Sequence, residues 1–571
     1  MSEQLKFNLP QIKTDLIRGI KECNLRGLIH SSKWLSELNF SLQIPNFDAN
    51  TVDAGSYSGI TQDEFDNYFI AKSYFDTREY DRAAYFVRNC VSSVPRFLYF
   101  YSMYMAKEKK RLDNSPDNST LNGSAQLKDL SELMSVLNEE YNHKNLDGYG
   151  LFLYGIILKK LDLTKMAITV LLESVHLVPI NWSAWLELSP LIQDTEHLRG
   201  LSLPKHWIKS FFIGHTFIEI FVVNEAGISL FEEIQNAGFE KSVYATSQIA
   251  IAYHNNRDVD RAIQMFQQIQ SVDPFRLENM DMYSNLLFVR EQKTEMAHLA
   301  HKAVEINKYR PETCCVIGNY YSIRGEHQKA ILYFQRALKL NPKYLSAWTL
   351  MGHEFMELKN TNAAIQSYRQ AVEVNRRDFR AWYGLGQAYE IIKMPVYALY
   401  YYKTATQLRP YDSRMLHALG EIYEKLDKKS NALKCYQKAC NVGDIEGFAM
   451  LKLGNLYEKM GDQENAVSSY KNYVNVERST SEKASLITAY LYLANYYAEK
   501  KNDDATHYAH KVLELDETKQ EAKAILKRIS SARAKPENEE DDITEAIMEL
   551  EPEPDILQTE TSGEDMDMSL A

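Results

Sequence analysis

Glycine and proline are scarce in this chain of 571 residues, which contains 23 glycines and 15 prolines. That composition argues against collagen, against proline-rich linkers and against β architectures with many tight turns. No apolar run reaches the roughly 18 residues that a membrane-spanning helix requires. The amino-terminal residues also lack the apolar core and small-residue cleavage site of a signal peptide. We therefore expect a soluble, intracellular protein with no membrane partner.

The sequence also lacks the motifs of common metal sites and enzymes. It has six cysteines, none of them in a C-x-x-C pair, which excludes zinc ribbons and thioredoxin-like sites. We expect these thiols to be reduced core residues. There is no P-loop, G-x-G-x-x-G, H-E-x-x-H or nucleophile elbow, and the pair His353–Glu354 has no second histidine at the required spacing. We therefore expect no enzyme activity, no cofactor and no metal.

The acidity of the chain is concentrated at its carboxyl end. The net charge is −12, yet residues 535–571 contain 14 acidic residues and one base, so that the remainder is nearly neutral. A neutral body gives no electrostatic reason to expect nucleic-acid binding, which depends on contacts from Lys and Arg to phosphates. Residues 534–571 are acidic and carry no repeat, and we predict that they form a disordered acidic tail.

A repeat with a period of 34 residues dominates the sequence. Four columns recur in register, and they are formed by glycines, by aromatics three residues later, by alanines twelve residues later and by aromatics sixteen residues later. The glycines are Gly318, Gly352, Gly386, Gly420 and Gly454. The period is that of the tetratricopeptide repeat (TPR), a helix–turn–helix unit in which small residues let two helices approach and aromatics fill the remaining space. The predicted fold is an all-α TPR superhelical solenoid of about 12–13 such units.

The repeat pattern also divides the chain into segments. We predict an N-terminal helical segment and loop over 1–60, an N-terminal TPR array over 61–242 with an inserted loop at 111–126, seven in-register repeats over 243–480, and a last repeat with a capping helix over 481–533. Within the first segment, the amphipathic stretch 10–39 is either a cap for the array or a docking surface.

A stacked TPR array presents its first helices on a concave surface, where side chains are available to a peptide. Residues expected to line this groove include Asn319, Ser322, Leu350, Glu354, Glu357, Arg380, Tyr383, Gln387 and Glu390, with Glu421 and Glu424 continuing it. We expect Glu354 to lie exposed at the edge of the groove. An acidic groove with aromatic and amide groups suits an extended peptide that carries Arg or Lys. The alternative is that these are ordinary solvated residues.

Several segments resemble one protein family beyond the generic repeat. They include YHNNRDVDRAIQMFQQIQSVDPFRLENMDMYSNLLFVR (253–290), ETCCVIGNYYSIRGEHQKAILYFQRALKLNP (312–342), AWTLMGHEFMELKNTNAAIQSYRQAVEVN (347–375) and AWYGLGQAYEIIKMPVYALYYYKTATQLRP (381–410). The stretch LIRGIKECNLRGLIHSSKWLSEL (16–38) is a separate signature. They resemble the cell-division-cycle-23 type TPR subunit of the anaphase-promoting complex, or cyclosome, over residues 10–520.

The resemblance implies a non-catalytic scaffold subunit of a cullin–RING ubiquitin ligase that acts in mitosis, in the nucleus and cytoplasm. It implies a homodimer formed through the N-terminal repeats, stacking with other TPR subunits, and indirect contact with the large scaffold and the cullin–RING module. It also implies that the groove binds the C-box of WD40 coactivators, a short motif with an essential arginine. The family positions that contact this arginine correspond to Asn319 and Glu354, although the residues alone leave Glu357 and Glu390 as alternatives.

A free-standing peptide-binding adaptor or co-chaperone is the alternative function. TPR domains that clamp the tail of heat-shock proteins need a lysine three residues before the repeat glycine, where this chain has Cys315, Thr349 and Tyr383. The cations of such a clamp are therefore absent. A scaffold subunit should purify within a very large assembly, whereas an adaptor should function as a free monomer or dimer.

Overall fold

The computed structural model describes residues 5, 7–44, 59–113, 123–220, 224–444, 447–475, 483–500, 504–514 and 523–527. Within these ranges the chain is helical, and no β-strand occurs. The predicted all-α TPR solenoid is confirmed. The predicted acidic tail, 534–571, lies outside the described residues. The helices fall into two compact units, residues 1–411 and 412–571.

The first unit begins with two helices and continues as a stack of antiparallel helix pairs. The helices that precede the in-register repeats are α1 (Leu9–Leu25), α2 (Ile29–Ser41), α3 (Phe65–Asp76), α4 (Tyr80–Val87), α5 (Ser93–Asp113), α6 (Gly123–Asn142), α7 (Gly148–Lys160), α8 (Thr164–Leu177), α9 (Trp182–Leu188), α10 (Thr195–Gly200), α11 (Ile208–Glu219) and α12 (Asn224–Ile234). Helices α5 and α6 extend into the range 111–126 for which a loop was predicted, and residues 114–122 of that range lie outside the described residues.

The in-register repeats form helix pairs with a constant spacing. In the first unit they are α13 (Val243–Asn255), α14 (Val259–Val272), α15 (Met280–Val289), α16 (Lys293–Asn307), α17 (Pro311–Ile323), α18 (His327–Leu340), α19 (Leu345–Glu357), α20 (Thr361–Val374), α21 (Phe379–Ile391) and α22 (Pro395–Leu408). In the second unit they continue as α23 (Ser413–Lys425), α24 (Lys429–Gly443), α25 (Phe448–Met460) and α26 (Gln463–Asn475), followed by α27 (Lys483–Glu499) and α28 (Asp504–Glu514).

The repeat glycines are sites of close approach between the two helices of a pair. A Cβ atom added to Gly352 would lie 2.5 Å from the ring of Tyr368, and one added to Gly386 would lie 2.5 Å from the ring of Tyr402. Carbon atoms in contact prefer separations of about 3.5–4.0 Å, so a side chain at this position has no room. The buried aromatic column of each second helix therefore packs directly on the backbone of the first helix, as the repeat pattern predicts.

The turn inside each in-register pair has a fixed backbone conformation. One residue per turn adopts a left-handed conformation, with φ of 53° at Glu291, 58° at Lys359 and 62° at Lys393. Glycine occupies the equivalent position only at Gly325 and Gly461. The next residue donates its N–H to a carbonyl five residues earlier, as Asn360 does to Phe355, which is the hydrogen bond of a Schellman motif. This turn is a second register mark that the sequence columns did not reveal.

Helices α1 and α2 pack on repeats of their own chain. Trp34 in α2 stacks on Trp182 in α9 with ring centroids 4.1 Å apart. Arg276, in the connection between α14 and α15, donates to Glu37 at 3.2 Å, and Lys33 forms an ion pair with Glu278. The amphipathic stretch of residues 10–39 therefore buries its apolar side against the first unit.

Candidate functional site

Polar side chains on three successive first helices, α15, α17 and α19, form two hydrogen-bonded clusters. On α17, the amide of Asn319 donates to Ser284 Oγ at 2.8 Å and to Asn285 Oδ1 at 2.6 Å, both on α15. Asn319 is buried, and it lies one residue after the repeat glycine. Because Asn319 uses its amide nitrogen as the donor in these bonds, its side-chain oxygen remains the acceptor of the group.

Glu354 on α19 is the centre of the site. Its Oε1 accepts from Ser322 Oγ at 2.6 Å, and its Oε2 lies 2.8 Å from His327 Nδ1. The residue is only 6% exposed, so the expectation that Glu354 lies exposed at the groove edge is wrong. The reason is that His327, at the start of the neighbouring helix α18, covers the carboxylate. Each carboxylate oxygen has a second lone pair, so this preoriented group retains capacity for an incoming donor.

His353 and Tyr368 form a neutral pair next to Glu354. The Tyr368 hydroxyl lies 2.8 Å from His353 Nδ1. Desolvation among the surrounding protein atoms, followed by the charge of Arg380, lowers the pKa of His353 to about 4. His353 is therefore uncharged near neutral pH, although the residue itself is exposed to solvent.

Glu390, another predicted groove acid, has a structural partner. The Tyr402 hydroxyl donates to Glu390 at 2.8 Å. The same pairing recurs in the second unit, between Tyr436 and Glu424 at 3.3 Å and between Tyr470 and Glu458 at 3.1 Å. A bond that recurs at the same repeat position belongs to the packing of the pair, which weakens the case for Glu390 as a ligand-binding acid.

The two predicted groove acids of the second unit are paired with lysines. Glu421 forms an ion pair with Lys452 at 2.9 Å, and Glu424 forms one with Lys459. These lysines, together with Lys425 and Lys429, line the same pocket as the two acids. The surface there carries both signs of charge, so that it differs from the acidic continuation that the sequence indicated.

The remaining predicted residues lie around the site without a common hydrogen-bonded network. Glu357 is exposed at the end of α19, whereas Leu350, Tyr383 and Gln387 are half-buried. Tyr383 packs on Tyr402 with ring centroids 5.3 Å apart. Of the predicted site residues, the structure therefore joins Ser322 directly to Glu354, with Asn319 bonded to the adjacent helix.

Sequence reasoning named Arg380, Asn319 and Glu354 as groove residues but missed the residues that contact them from other helices. His327, Ser284 and Asn285 contact the predicted residues from neighbouring helices. Contacts between distant repeats were also missed, because Arg380 Nη2 lies 3.1 Å from His254 Nε2 and Arg409 donates to the Asn255 carbonyl at 2.8 Å. The repeat columns report which face a residue occupies, and carry no signal for contacts between helices that are several repeats apart.

The described part of the chain contains neither a metal cluster nor a membrane-spanning helix. No group of three or more His, Cys, Asp or Glu side chains there is arranged to hold a metal ion. None of the helices in the described ranges combines the length and apolar character needed to span a bilayer.

Comparison with known proteins identifies the family. Residues 11–250 match the family model described as anaphase promoting complex subunit 8 / Cdc23, and TPR models match residues 311–344, 352–390, 413–442 and 448–476. The chain is 49% identical over 305 residues to the cell division cycle protein 23 homolog of Homo sapiens, covering 52% of this chain and 50% of that protein. It therefore spans about half the length of the mammalian relatives that it matches.

A more extensive match is the anaphase-promoting complex subunit 8 of Dictyostelium discoideum, which is 39% identical over 399 residues, covering 60% of this chain and 67% of that protein. The crystal structure of the APC/C hetero-tetramer Cut9–Hcn1 matches with a TM-score of 0.50 and 16% identity, over 84% of this chain and 99% of that one, which supports the fold alone. The segments quoted from the sequence, the repeat architecture and these relatives agree, and the chain belongs to the anaphase-promoting complex subunit 8 / Cdc23 family.

Proposed function

We propose that this chain is a non-catalytic scaffold subunit of the anaphase-promoting complex, a cullin–RING ubiquitin ligase, and that its groove binds the C-box of WD40 coactivators. Its family membership supports the first part, because relatives carry the name of this complex. The observation that carries the second part is Glu354, a buried carboxylate held by Ser322 and His327 at a position that resembles the arginine-binding position of the family.

Arginine fits this site for chemical reasons. A guanidinium is planar, stays charged at all physiological pH values and presents donors in a fork that matches a carboxylate. Glu354 is already oriented by two hydrogen bonds, so binding an arginine does not require its side chain to be ordered first. The side-chain oxygen of Asn319 supplies a second acceptor on the adjacent helix. A buried carboxylate that gains a cation also offsets part of its desolvation cost.

The mechanism we propose is positional. A rigid array of packed helix pairs holds the coactivator, and through it a substrate, at a fixed place relative to the cullin–RING module. Bringing reactants together in this way raises their effective concentration without any chemistry in the scaffold itself. Stacking with other TPR subunits of the complex would fix the position of this chain within the scaffold.

We further propose that the chain forms a homodimer through its N-terminal repeats. The first repeat, α3 and α4, leaves apolar side chains exposed, with Tyr85 at 58%, Phe69 at 39% and Ile70 at 37% exposure, and Val91 follows at 74%. Light scattering on the purified chain tests this directly. We expect a dimer for the wild type and a monomer for Tyr85→Glu. A monomeric wild type would refute the dimer.

The scaffold proposal is tested by affinity purification of the tagged chain at native salt, followed by sizing and mass spectrometry. We expect a cullin, a RING subunit and other TPR chains to co-purify, and imaging of the tagged chain to place it in both nucleus and cytoplasm. Recovery of a free dimer that carries chaperones or cargo would instead favour the adaptor function.

Binding of the coactivator arginine is tested with the isosteric variant Glu354→Gln in the full chain. This change keeps the size of the side chain and removes its charge, so we expect coactivator binding to weaken by about 10-fold or more, as for a lost charge-assisted hydrogen bond. The matched control is Glu357→Gln, on the exposed end of the same helix. Equal effects of the two variants would contradict the assignment to Glu354.

A further inference from the structure

A cluster of large apolar side chains is exposed where α21 turns into α22. Every member of it is more than a third exposed, and the most exposed are Val396 at 67%, Tyr400 at 61% and Tyr397 at 58%. Residues three and four apart are neighbours on a helix surface, so Tyr400 adjoins both of the others at the start of α22. We call this surface the α22 patch, and it consists of Ile392, Met394, Val396, Tyr397 and Tyr400.

The preceding repeats show that packing of a helix pair does not require apolar residues at these positions. In the four in-register repeats before α21, the equivalent positions carry a large apolar residue only at Leu332 and Leu358. The others are polar or small, as at Asp260, Thr294 and Asn362. Single exposed apolar residues are common on protein surfaces, whereas a contiguous exposed patch marks an interaction site. The apolar residues of the α22 patch therefore call for a partner outside the repeat.

The aromatic rings of the patch are held in place by half-buried rings next to them. Tyr397 stacks on Tyr389 with ring centroids 5.5 Å apart, and Tyr389 in turn stacks on Tyr401 at 5.2 Å. Tyr400 contacts Tyr401 edge-on at 5.2 Å and Trp382 at 6.5 Å. Because the orientations of these rings are already fixed, they lose little conformational freedom when a partner packs on them. Tyrosine is also one of the side chains that dominate the binding energy of protein interfaces.

The charged groups next to the α22 patch are basic. Lys403 is the only charged residue of α22, and it lies three residues after Tyr400, on the same side of the helix. Lys393 stands within the turn that forms the first part of the patch, and both lysines are exposed. Arg369, on the neighbouring helix α20, donates to the Tyr389 hydroxyl at 2.7 Å. The patch is thus an apolar and aromatic centre with a positive margin, which is complementary to apolar residues flanked by acids.

We propose that the α22 patch is a docking surface for a short amphipathic segment of another protein, whose apolar side chains pack on Tyr397 and Tyr400. The Asp or Glu side chains of this segment pair with Lys393, Lys403 and Arg369. A second copy of this chain fits the patch less well, because a two-fold contact would place the same basic residues opposite each other. The patch lies mainly on the second helix of its pair, whereas first helices line the coactivator groove. The inference therefore goes beyond the proposed function.

The first experiment locates the partner with a photocrosslinker in the full chain. Tyr400 is replaced with p-benzoylphenylalanine, cells that make the tagged chain are irradiated before lysis, and the crosslinked peptide is sequenced by mass spectrometry. The matched control carries the same photocrosslinker at Gln366, an exposed residue at the equivalent position of α20. We expect position 400, and not position 366, to crosslink to a segment of another protein that has both apolar and acidic side chains within about two helical turns.

Any other result of the crosslinking experiment would overturn the proposal. A crosslink to a second copy of this chain would make the patch an interface between copies. A crosslink to the chain's own acidic residues 535–571 would make the patch an intramolecular site. The proposal also fails if the crosslinked segment has no acids, if position 366 crosslinks to the same segment, or if position 400 yields no crosslink.

The second experiment measures how tightly the purified full chain binds a labelled peptide with the crosslinked sequence. We expect Tyr400→Ser to weaken binding by about 10-fold. Lys403→Glu should weaken binding by about 10-fold at low salt and by less at high salt, because salt screens exposed charges. The matched control for Tyr400→Ser is Leu332→Ser, at the equivalent exposed position of α18.

Thermal unfolding of each variant monitors the fold in the same experiment. The three substituted side chains are exposed, so we expect melting temperatures close to that of the wild type. Equal weakening of binding by Leu332→Ser and Tyr400→Ser would show that the effect is not specific to the α22 patch. Unchanged affinity of Lys403→Glu at low salt would show that the partner's acids do not pair with this margin. Either result would refute the proposal.

Discussion

Replacing the repeat glycine Gly386 with leucine should destabilise the pair α21–α22. A Cβ at this position would lie 2.5 Å from both Cδ1 and Cε1 of Tyr402 and 3.0 Å from its Cγ. The ring has little freedom to move away, because Tyr402 is 2% exposed and its hydroxyl is bonded to Glu390 at 2.8 Å. The side chain therefore forces the two helices apart.

The expected magnitude follows from two opposing terms. Replacing a glycine inside a helix with leucine stabilises the helix by up to about 1 kcal/mol, because leucine has the higher helix propensity. Adding carbon atoms to a packed core costs typically about 1–3 kcal/mol, and more where the neighbours cannot shift. Leucine adds four carbon atoms where the first already overlaps a ring, so we expect a net loss of at least about 2 kcal/mol. The matched control is Gly200→Leu, because no atom lies within 4 Å of a Cβ added there.

Hydrogen exchange and urea unfolding provide the readouts. We expect faster exchange in α21 and α22 and a lower urea midpoint for Gly386→Leu, with a much smaller change for Gly200→Leu. The double variant Gly386→Leu/Tyr402→Ala makes room for the leucine, so its loss should be smaller than the sum of the two single losses. Wild-type exchange in α21–α22 of the leucine variant would refute the assigned packing.

Three other predictions concern the site and its surroundings. Glu354→Lys should unfold the region around α19, since it places a buried cation against His327, whereas Glu357→Lys on the exposed end of the helix should leave the melting temperature unchanged. Lys393→Gly should raise the free energy of unfolding by about 0.5–1 kcal/mol, because glycine adopts the left-handed turn without strain, and an unchanged urea midpoint would contradict this. His254 is neutral in the folded chain with its pKa lowered to about 3, so the unfolded state binds a proton first as the pH falls below about 6.5, and stability decreases. Between pH 7.5 and 5.5 the wild type should therefore lose about 1 kcal/mol more stability than His254→Gln, measured by urea titration, and parallel losses would refute the assignment.

Periodicity was sufficient to predict the repeat and its packing, because the glycine and aromatic columns encode contacts within one helix pair. Periodicity did not predict that Glu354 is buried, because the residue that covers it, His327, lies at the start of a different helix. The pair α5–α6 was only partly recognised, because its residues do not carry the columns of the repeat. The contacts of Arg380 and Arg409 join α21 and α22 to α13, and sequence spacing contains no measure of such distances.

The left-handed turns between the helices of a pair were also not predictable from the sequence. Lysine, glutamate and aspartate occupy these positions more often than glycine does, as at Glu291, Lys393 and Asp427. Glycine is the residue whose presence would have marked the turn. The Schellman hydrogen bond and the helix packing impose the left-handed conformation on whichever residue stands there. Residues other than glycine are therefore tolerated, and the sequence does not reveal the turn.

The packing of α2 has a consequence for the order in which the protein acquires its structure during synthesis. Trp34 needs Trp182, and Glu37 needs Arg276, which lies 239 residues further along the chain. At a synthesis rate of about 5–20 residues per second, Arg276 emerges roughly 10–50 s after Glu37. During that interval α2 lacks its ion pair with the connection between α14 and α15, and before α9 emerges its apolar side also has no native partner. The newly made N-terminus is therefore the part of this protein for which binding to a chaperone at the ribosome would be of greatest use.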